Sequence, residues 1–337
     1  MHSTTLSPSD TAKAKSLDTA TIFATVQDEL NKIEIIDVHT HLFKPSLQSL
    51  GLWGIDELLT YHYLEAELFR SSPITAEEYW GLSKQQQADA IWRALFVDHA
   101  PTSEATRGVA AVLQAFGLPT SHPDLSEARK FFAAQKADEH ITRVFRTSGI
   151  GEAVMTNDPL DPAEAPLWER ATEKDTRFRA VLRLDRILNK WPDHWQVLQA
   201  QGYQVEQQIT AKTASEVRRF LGDWRRRMQP VYMAVSLPDT FQYPEESARA
   251  RLLEHAVLPS CREHNLPLSL MIGVRYQVNP AIRLAGDAVG KADLRALENL
   301  CRNFPDNRFL TSVLSRENQH ELCVYARKFR NLMPFGC

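Results

Sequence analysis

Two histidines spaced i, i+2, His39 and His41, close the β-branched run Ile33-Glu-Ile-Ile-Asp-Val-His-Thr-His-Leu42. Successive strand side chains point to opposite faces, so both imidazoles project from one face, one above the other, at the C-terminal end of the strand. So placed, they can share a metal ion. A strand end that opens into a loop is also where parallel β/α barrels build their active sites. With 11 histidines in the chain, a His-x-His pair also arises by accident and is then commonly solvated or tied up locally. The β-branched run in front of this pair is what favours chemical use. Asp37 is expected to be structural, with orientation of an imidazole as its alternative role.

Polar residues at the ends of the other predicted strands are the further candidates. Asp158, in Thr156-Asn-Asp-Pro159, could bind or orient a group, but Asn-Asp-Pro is also an ordinary turn. In Arg183-Leu-Asp185-Arg186 the spacing puts Arg183 and Asp185 on one face, where the arginine could clamp a substrate carboxylate bidentately. A structural Arg-Asp pair closing the strand explains the same residues equally well. Asp239, after Ser236-Leu-Pro, is a weaker candidate. Leu268 to Gly273 ends without a histidine; Met271 reads as packing, and Arg275 and Tyr276 follow. His62 and Tyr63 are close enough in sequence to the first strand to fold back over its end, although alone they read as packing residues. Arg218, Arg219 and Arg225 to Arg227 lie mainly off an apolar helix face, which suits a solvated surface better than a phosphate site.

These residues need elements to position them. Leu17 to Asn31 is predicted as a helix leading into the strand Ile33 to Val38. The segment from about 46 to 147 is almost wholly helical in pattern, with helices over Asp56 to Arg70, Ala76 to Val97 (broken at Gly81 to Ser83), Glu104 to Phe116 (stopped by Gly117) and Ser126 to Arg146. This insertion is expected to form a lobe over one end of the core, where a lid or substrate wall would stand. From about residue 150 short apolar runs alternate with helices. The predicted strands are Glu152 to Thr156, Phe178 to Leu184, Val231 to Leu237, Leu266 to Ile272, Arg308 to Val313 and Met333 to Gly336. The helices between them are Ser215 to Met228, Glu245 to His264, Lys291 to Asn303 and Glu317 to Phe329. Alternation of this kind signals βαβ units and a parallel sheet. The fold class is therefore α/β, a distorted TIM (β/α)8-type barrel with a helical insertion after strand one, its eighth strand missing. Residues 1–32 form an N-terminal tail and helix, and residues 33–337 the barrel domain, including the 46–147 lobe.

Hydrophobic residues make up 43% of the 337-residue chain and charged ones 24%, with a formal net charge of −3. This describes a globular protein without the basic excess of a nucleic-acid binder. No apolar stretch approaches the roughly 20 residues of a membrane helix, and the N-terminus has no secretory apolar segment, so a cytoplasmic location is expected. Cys261, Cys301, Cys323 and Cys337 lie far apart without a Cys-x-x-Cys and read as buried or incidental thiols, suggesting neither a zinc knuckle nor a disulfide framework.

In order along the chain, these pieces resemble the uronate (glucuronate) isomerases of the amidohydrolase superfamily. Asp37-Val-His-Thr-His-Leu42 is similar to that family's His-x-His strand, His62-Tyr63 to a His-Tyr pair in its helical insertion, and Met155-Thr-Asn-Asp-Pro159 to its Thr-Thr-Asp-Asp-Pro turn. Arg183-Leu-Asp185 resembles Arg-Pro-Asp, Leu270-Met-Ile-Gly273 resembles Leu-His-Ile-Gly, and Pro334-Phe-Gly336 the Phe-Gly before a Trp-Trp pair. The resemblance implies an aldose-ketose isomerase that interconverts an aldohexuronate and its ketohexuronate, of the glucuronate/fructuronate type. Such a proton shift needs a polarised carbonyl, a general acid/base and a cationic clamp for the C6 carboxylate. Carried over residue by residue, His39 and His41 would hold a divalent metal, Zn2+ in the first instance. His62 and Tyr63 would approach the reacting oxygens, Arg183 would contact the substrate, and Asp185 would stand beside it. The implied partner is a small-molecule sugar acid, with no nucleic acid or membrane; a homo-oligomer is compatible with it.

Two departures shape the expectations. Met271 stands where the family has histidine, and a thioether replaces an imidazole poorly as hydrogen-bonding group or zinc ligand. The family's eighth strand carries Thr-Asp-Ser-Arg, with a metal-binding Asp, and the sequence ends before it. Weak metal binding and an open sheet edge are expected, as from part of a longer protein of roughly 400 or more residues. Two other functions compete. A metal-dependent hydrolase of the same superfamily would consume water, and a catalytically degenerate sugar-acid-binding barrel would bind without turnover.

Overall fold

A computed structural model of the chain describes residues 18–51, 53–170 and 175–336. The chain divides into two units, the first ending at Ile35 and the second running from Ile36. In the first, helix α1 (Thr19–Leu30) begins where the Asp18 carboxylate accepts the Thr21 N–H at 2.9 Å, and it buries none of its side chains. Among the described residues no helix is long and apolar enough to cross a membrane.

The helical lobe follows strand β1 (Ile35–Thr40). Its helices are α2 (Ile55–Leu59), α3 (His62–Ser71), α4 (Ala76–Gly81), α5 (Lys84–Trp92), α6 (Glu104–Ala115), α7 (Ser126–Ala133) and α8 (Ala137–Ser148). Thr75 and Ser83 each start a helix with a reciprocal capping box, to Glu78 and Gln86, which breaks the Ala76 to Val97 stretch where Gly81 to Ser83 predicted. Two predicted helices are split. Asp56 to Arg70 breaks at Thr60-Tyr61, where the Thr60 hydroxyl turns back to the Asp56 carbonyl at 2.7 Å. Ser126 to Arg146 breaks between Ala133 and Ala137. The lobe has its own apolar core, including Leu59, Leu68, Ile91 and Leu113. Arg129 of α7 bonds Asp56 of α2 at 2.8 Å and Asp89 of α5 at 2.7 Å, tying three helices together.

The sheet comprises β1, β2 (Ile150–Asn157), β3 (Phe178–Arg183), β4 (Tyr232–Pro238), β5 (Leu268–Arg275), β6 (Ala288–Val289), β7 (Phe309–Val313) and β8 (Leu332–Pro334). Seven strands pair in the order β1-β2-β3-β4-β5-β7-β8, and β6 forms a side hairpin on β5. From β2 to β8 the strands pair in parallel apart from that hairpin. The sheet curls as an incomplete barrel: β1 and β8 stand at opposite ends of this path, and the β1 side chains Ile36 and Val38 are 58% and 37% exposed. The alternating strand pattern sorts the side chains. Leu182, Val235, Leu270 and Phe309 point outward into the large core shared with the covering helices, while Val154, Val181, Tyr232, Ala234 and Met271 form a smaller cluster on the other face.

Several sequence expectations are corrected. The first strand starts at Ile35 rather than Ile33 and keeps His39 within it, and the last spans 332–334 rather than 333–336. Helices α9 (Ala165–Arg170), α10 (Asp185–Asn189) and α11 (Trp191–Ala200) were not predicted; the first two are short, and α10 starts inside the Arg183-Asp185-Arg186 cluster read as a strand end. Two predicted helices follow closer to expectation, α12 (Ala211–Met228) and α13 (Arg295–Asn303). The hairpin β5–β6 was also missed. It depends on Gly273, at φ +121°, where a Cβ would press to 3.0 Å from the Gly290 carbonyl while Gly290 N–H bonds Gly273 O at 2.9 Å. Cys261 and Cys301 are buried thiols as read, Cys323 is exposed, and Cys337 lies outside the described residues.

Candidate active site

His39 and His41 lie at the C-terminal end of β1 with ring centroids 5.7 Å apart and planes at 81°. Two imidazoles bound to one tetrahedral ion at nitrogen distances of about 2.0–2.1 Å have centroids on the order of 5 Å apart, so the pair fits joint coordination. Burial, with the charges of His41 and Arg183, pushes His39 down to about 4 against the opposing pull of Asp37. Burial and Arg183 lower His41 as well. Both rings are thus held neutral, the ligating form. Asp37 uses its carboxylate on the His39 backbone N–H at 3.1 Å, so its hydrogen bond fixes the strand rather than an imidazole. From β2, Thr156 Oγ1 lies 3.3 Å from Thr40 O and 3.5 Å from His41 Nδ1. Among the described residues no group of three His, Cys, Asp or Glu side chains gathers for a metal.

The start of α3 brings the lobe to this strand end. Tyr61, its N-cap, stands 6.2 Å from His41 and 4.3 Å from His62, ring centre to ring centre, and His62 meets Tyr63 at 4.2 Å. His62 and Tyr63 are therefore not core residues; Tyr63 is 61% exposed. Burial lowers the His62 pKa, against Asp287, which leaves a neutral imidazole able to accept a proton. Burial raises the Tyr61 hydroxyl, keeping it a donor.

Arg183 and Asp185 pair directly, Nε to Oδ2 at 2.8 Å, and Arg183 Nη2 also donates to Ser236 Oγ at 3.0 Å. The other oxygen of Asp185 accepts the Ser236 N–H at 3.0 Å. Two of five guanidinium N–H donors are accounted for by these bonds. Burial disfavours the Arg183 charge, yet Asp185, Asp158 and Tyr276 hold its pKa above the ordinary value. The registers Arg183↔Ala234 and Ser236↔Met271 set Arg183, Ser236 and Met271 on one face of neighbouring strands. Met271, 7% exposed, packs in the apolar cluster as expected.

Asp158 and Asp239 are engaged elsewhere. Asp158 binds Arg186 Nε at 2.7 Å and caps Leu160 N–H at 2.9 Å, and its turn is held by Glu164. Glu164 accepts from Asn157 Nδ2 at 2.7 Å, Asp158 N–H at 2.8 Å and Trp168 Nε1 at 2.8 Å. Asp239 faces Arg275 at 3.5 Å. Sequence reasoning missed Tyr61, Ser236, Glu164 and Asp287. Tyr61 was legible as the first of three consecutive rings, whereas Glu164 and Asp287 lie in loops without a pattern.

No protein-family model and no curated protein matches the chain. Solved structures do. A uronate isomerase from Bacillus halodurans C-125 is 46% identical with a TM-score of 0.90, over 96% of this chain and 76% of its own. A uronate isomerase from Thermotoga maritima matches at TM-score 0.69 and 15% identity, over 93% of this chain and 78% of that one. A glucuronate isomerase from Caulobacter crescentus matches at 0.65 and 15%, over 97% and 77%. The latter two bear on the fold alone.

Proposed function

The chain belongs to the uronate isomerase family, and on that footing we propose that it interconverts an aldohexuronate and the corresponding ketohexuronate. The observation that carries the reading is the meeting of His39 and His41, 5.7 Å apart at the end of β1, with the Tyr61 and His62 rings at the start of α3, and Arg183 close enough for its charge to bear on both β1 imidazoles. Arg183 would receive the C6 carboxylate on its remaining N–H donors, its plane already fixed by Asp185 and Ser236. That leaves the other end of an open-chain sugar acid near His62 and the Tyr61 and Tyr63 hydroxyls.

Isomerisation removes the proton from C2, whose electron pair becomes the C1–C2 double bond as the C1 oxygen gains a proton. Return of a proton to C1 with loss of the C2 hydroxyl proton gives the ketose, so no atom is gained or lost. His62, neutral by burial, would carry the proton, and Tyr61 or Tyr63 would donate to the reacting oxygens. His39 and His41 would hold a divalent metal, Zn2+ by its preference for imidazole. When bound, such an ion polarises a carbonyl and eases loss of the adjacent proton.

The experiment is incubation with D-glucuronate and D-galacturonate, with products followed by NMR in heavy water. Ketose formation without net water uptake is expected. Hydrolysis of a lactone or amide with no ketose would favour the hydrolase reading, and binding without turnover the degenerate barrel.

A further inference from the structure

β5 runs at Arg275 into a loop that returns as β6. Arg275 pairs with Ala288 across the hairpin, so Tyr276 and Asp287 are the next residues on its two arms, side by side beyond the end of β5. The loop is organised within itself: Gln277 N–H donates to Asp287 Oδ1 at 2.7 Å, Asn279 N–H to Gly286 O at 3.2 Å, and Asn279 Oδ1 accepts Ala281 N–H at 3.3 Å. Its tip, Pro280–Gly286, packs on α3, the helix that carries His62 and Tyr63.

Two further contacts fasten it there. Trp80, at the end of α4, donates its indole N–H to the Ala281 carbonyl at 3.0 Å, across 201 residues of sequence. The Arg283 guanidinium lies 4.2 Å from the centre of the same indole. Arg283 itself sits at φ 53°, ψ −129°, a conformation that side-chain-bearing residues rarely adopt. A loop bent this way needs contacts from outside itself to persist, and Trp80 supplies them.

We propose that Trp80 and Arg283 are positioning residues: they clamp the β5–β6 loop to the helical lobe and so hold Tyr276 and Asp287 against His62 and Arg183. The electrostatics agree in direction, since Asp287 raises the His62 pKa against burial and Tyr276 contributes to the raised pKa of Arg183. The clamp joins a lobe residue to a barrel residue, so it couples elements 201 residues apart in sequence. Its kinetic consequence rests on the isomerase reading; its structural consequence does not.

The test compares Arg283→Ala, Arg283→Lys, Trp80→Ala and Trp80→Phe in the full chain, by amide exchange over residues 277–287 and by kcat and KM for glucuronate. Releasing the clamp lowers the fraction of molecules with the loop in place and raises KM by that factor. For Arg283→Ala and Trp80→Ala the expected result is faster exchange in the loop and KM up by about tenfold, equivalent to 1.4 kcal/mol, with kcat held within about twofold. Arg283→Lys, which keeps the cation over the ring, restores KM towards wild type. Arg283 is exposed, so its variants fold even if Trp80→Ala does not. Unchanged loop exchange, or an unchanged KM in an enzyme that turns over uronate, overturns the proposal. If wild type isomerises no uronate, the functional reading fails separately, and loop exchange alone decides whether the clamp exists.

Discussion

Replacing Arg183 by methionine separates a substrate clamp from a structural ion pair. The side chains of Arg183 and Asp185 are 22% and 23% exposed, between the surface and buried limits. Breaking such a pair costs about 2 kcal/mol, more than a surface pair and less than a fully buried one. Asp185 keeps one restraint afterwards, because its other oxygen still accepts the Ser236 N–H at 3.0 Å. At the usual unfolding entropy per residue, a chain of 337 residues loses roughly 1.4 °C of midpoint per kcal/mol, so the variant should melt about 3 °C lower. Loss of a charge-assisted contact to a substrate carboxylate costs a further 1.5–3 kcal/mol or so in the transition state, on the order of 10- to 100-fold in kcat/KM. Arg183→Lys should fall between, keeping the charge without the planar fork. Asp185→Asn is the control: it should reproduce the melting shift with a much smaller kinetic loss. The assay is uronate isomerisation by NMR beside thermal unfolding. If Arg183→Met melts about 3 °C lower yet keeps kcat/KM within about twofold of wild type, the clamp is refuted and the pair is structural.

Three further outcomes are expected. Glu164→Gln removes an acceptor from either the Asp158 N–H or the Asn157 and Trp168 donors and should cost about 1–3 kcal/mol of stability. Burial raises the Glu164 pKa in the folded state, so its contribution to stability is full below the unfolded carboxylate range and is lost as pH rises through the raised value; that slope should vanish in the variant, and a melting profile identical to wild type from pH 4 to 7 would contradict it. Chelation should abolish isomerisation and added Zn2+ should restore it, and undiminished turnover in metal-free protein would remove His39 and His41 from a metal role. Met271→Leu, conserving volume in an apolar cluster, should shift stability by less than about 1.5 kcal/mol and leave kcat unchanged; a tenfold fall in kcat with the midpoint preserved would assign the thioether a part in the chemistry.

Strand positions were legible because alternation and β-branching carry a period that a short window can detect, and the outward residues Leu182, Val235 and Leu270 follow it. His39 and His41 were legible for the same reason: a period of two puts them on one face whatever surrounds them. Helices of five or six residues, such as α9 and α10, offer too few turns for a 3.6-residue period. The Thr60-Tyr61 break was hidden because Leu58, Leu59, Leu64 and Leu68 keep near-helical spacing across it. No pattern marks the β6 hairpin either, since two residues cannot alternate.

The roles of individual polar residues were legible only where both partners were close in sequence. Arg183 and Asp185 are two residues apart and close enough to pair, although α10 begins at Asp185 and the turn at Leu184, not strand geometry, brings them together; that Ser236 completes the pair is a fact of the register between β3 and β4. Asp158 is a candidate by sequence, but its carboxylate is taken by Arg186 and the Leu160 N–H, and that of Asp239 faces Arg275. The lobe illustrates the opposite failure. His62 and Tyr63 read as packing residues because helical aromatics usually are, yet the break before His62 makes Tyr61 an N-cap and brings all three rings to one end of α3. The same split that sequence could not see places the Tyr61 ring 6.2 Å from His41 at the end of β1. A Thr60→Ala variant isolates that step: losing the hydroxyl's bond to Asp56 O at 2.7 Å should leave the lobe folded while slowing isomerisation, and equal turnover in the variant would separate the helix break from the site.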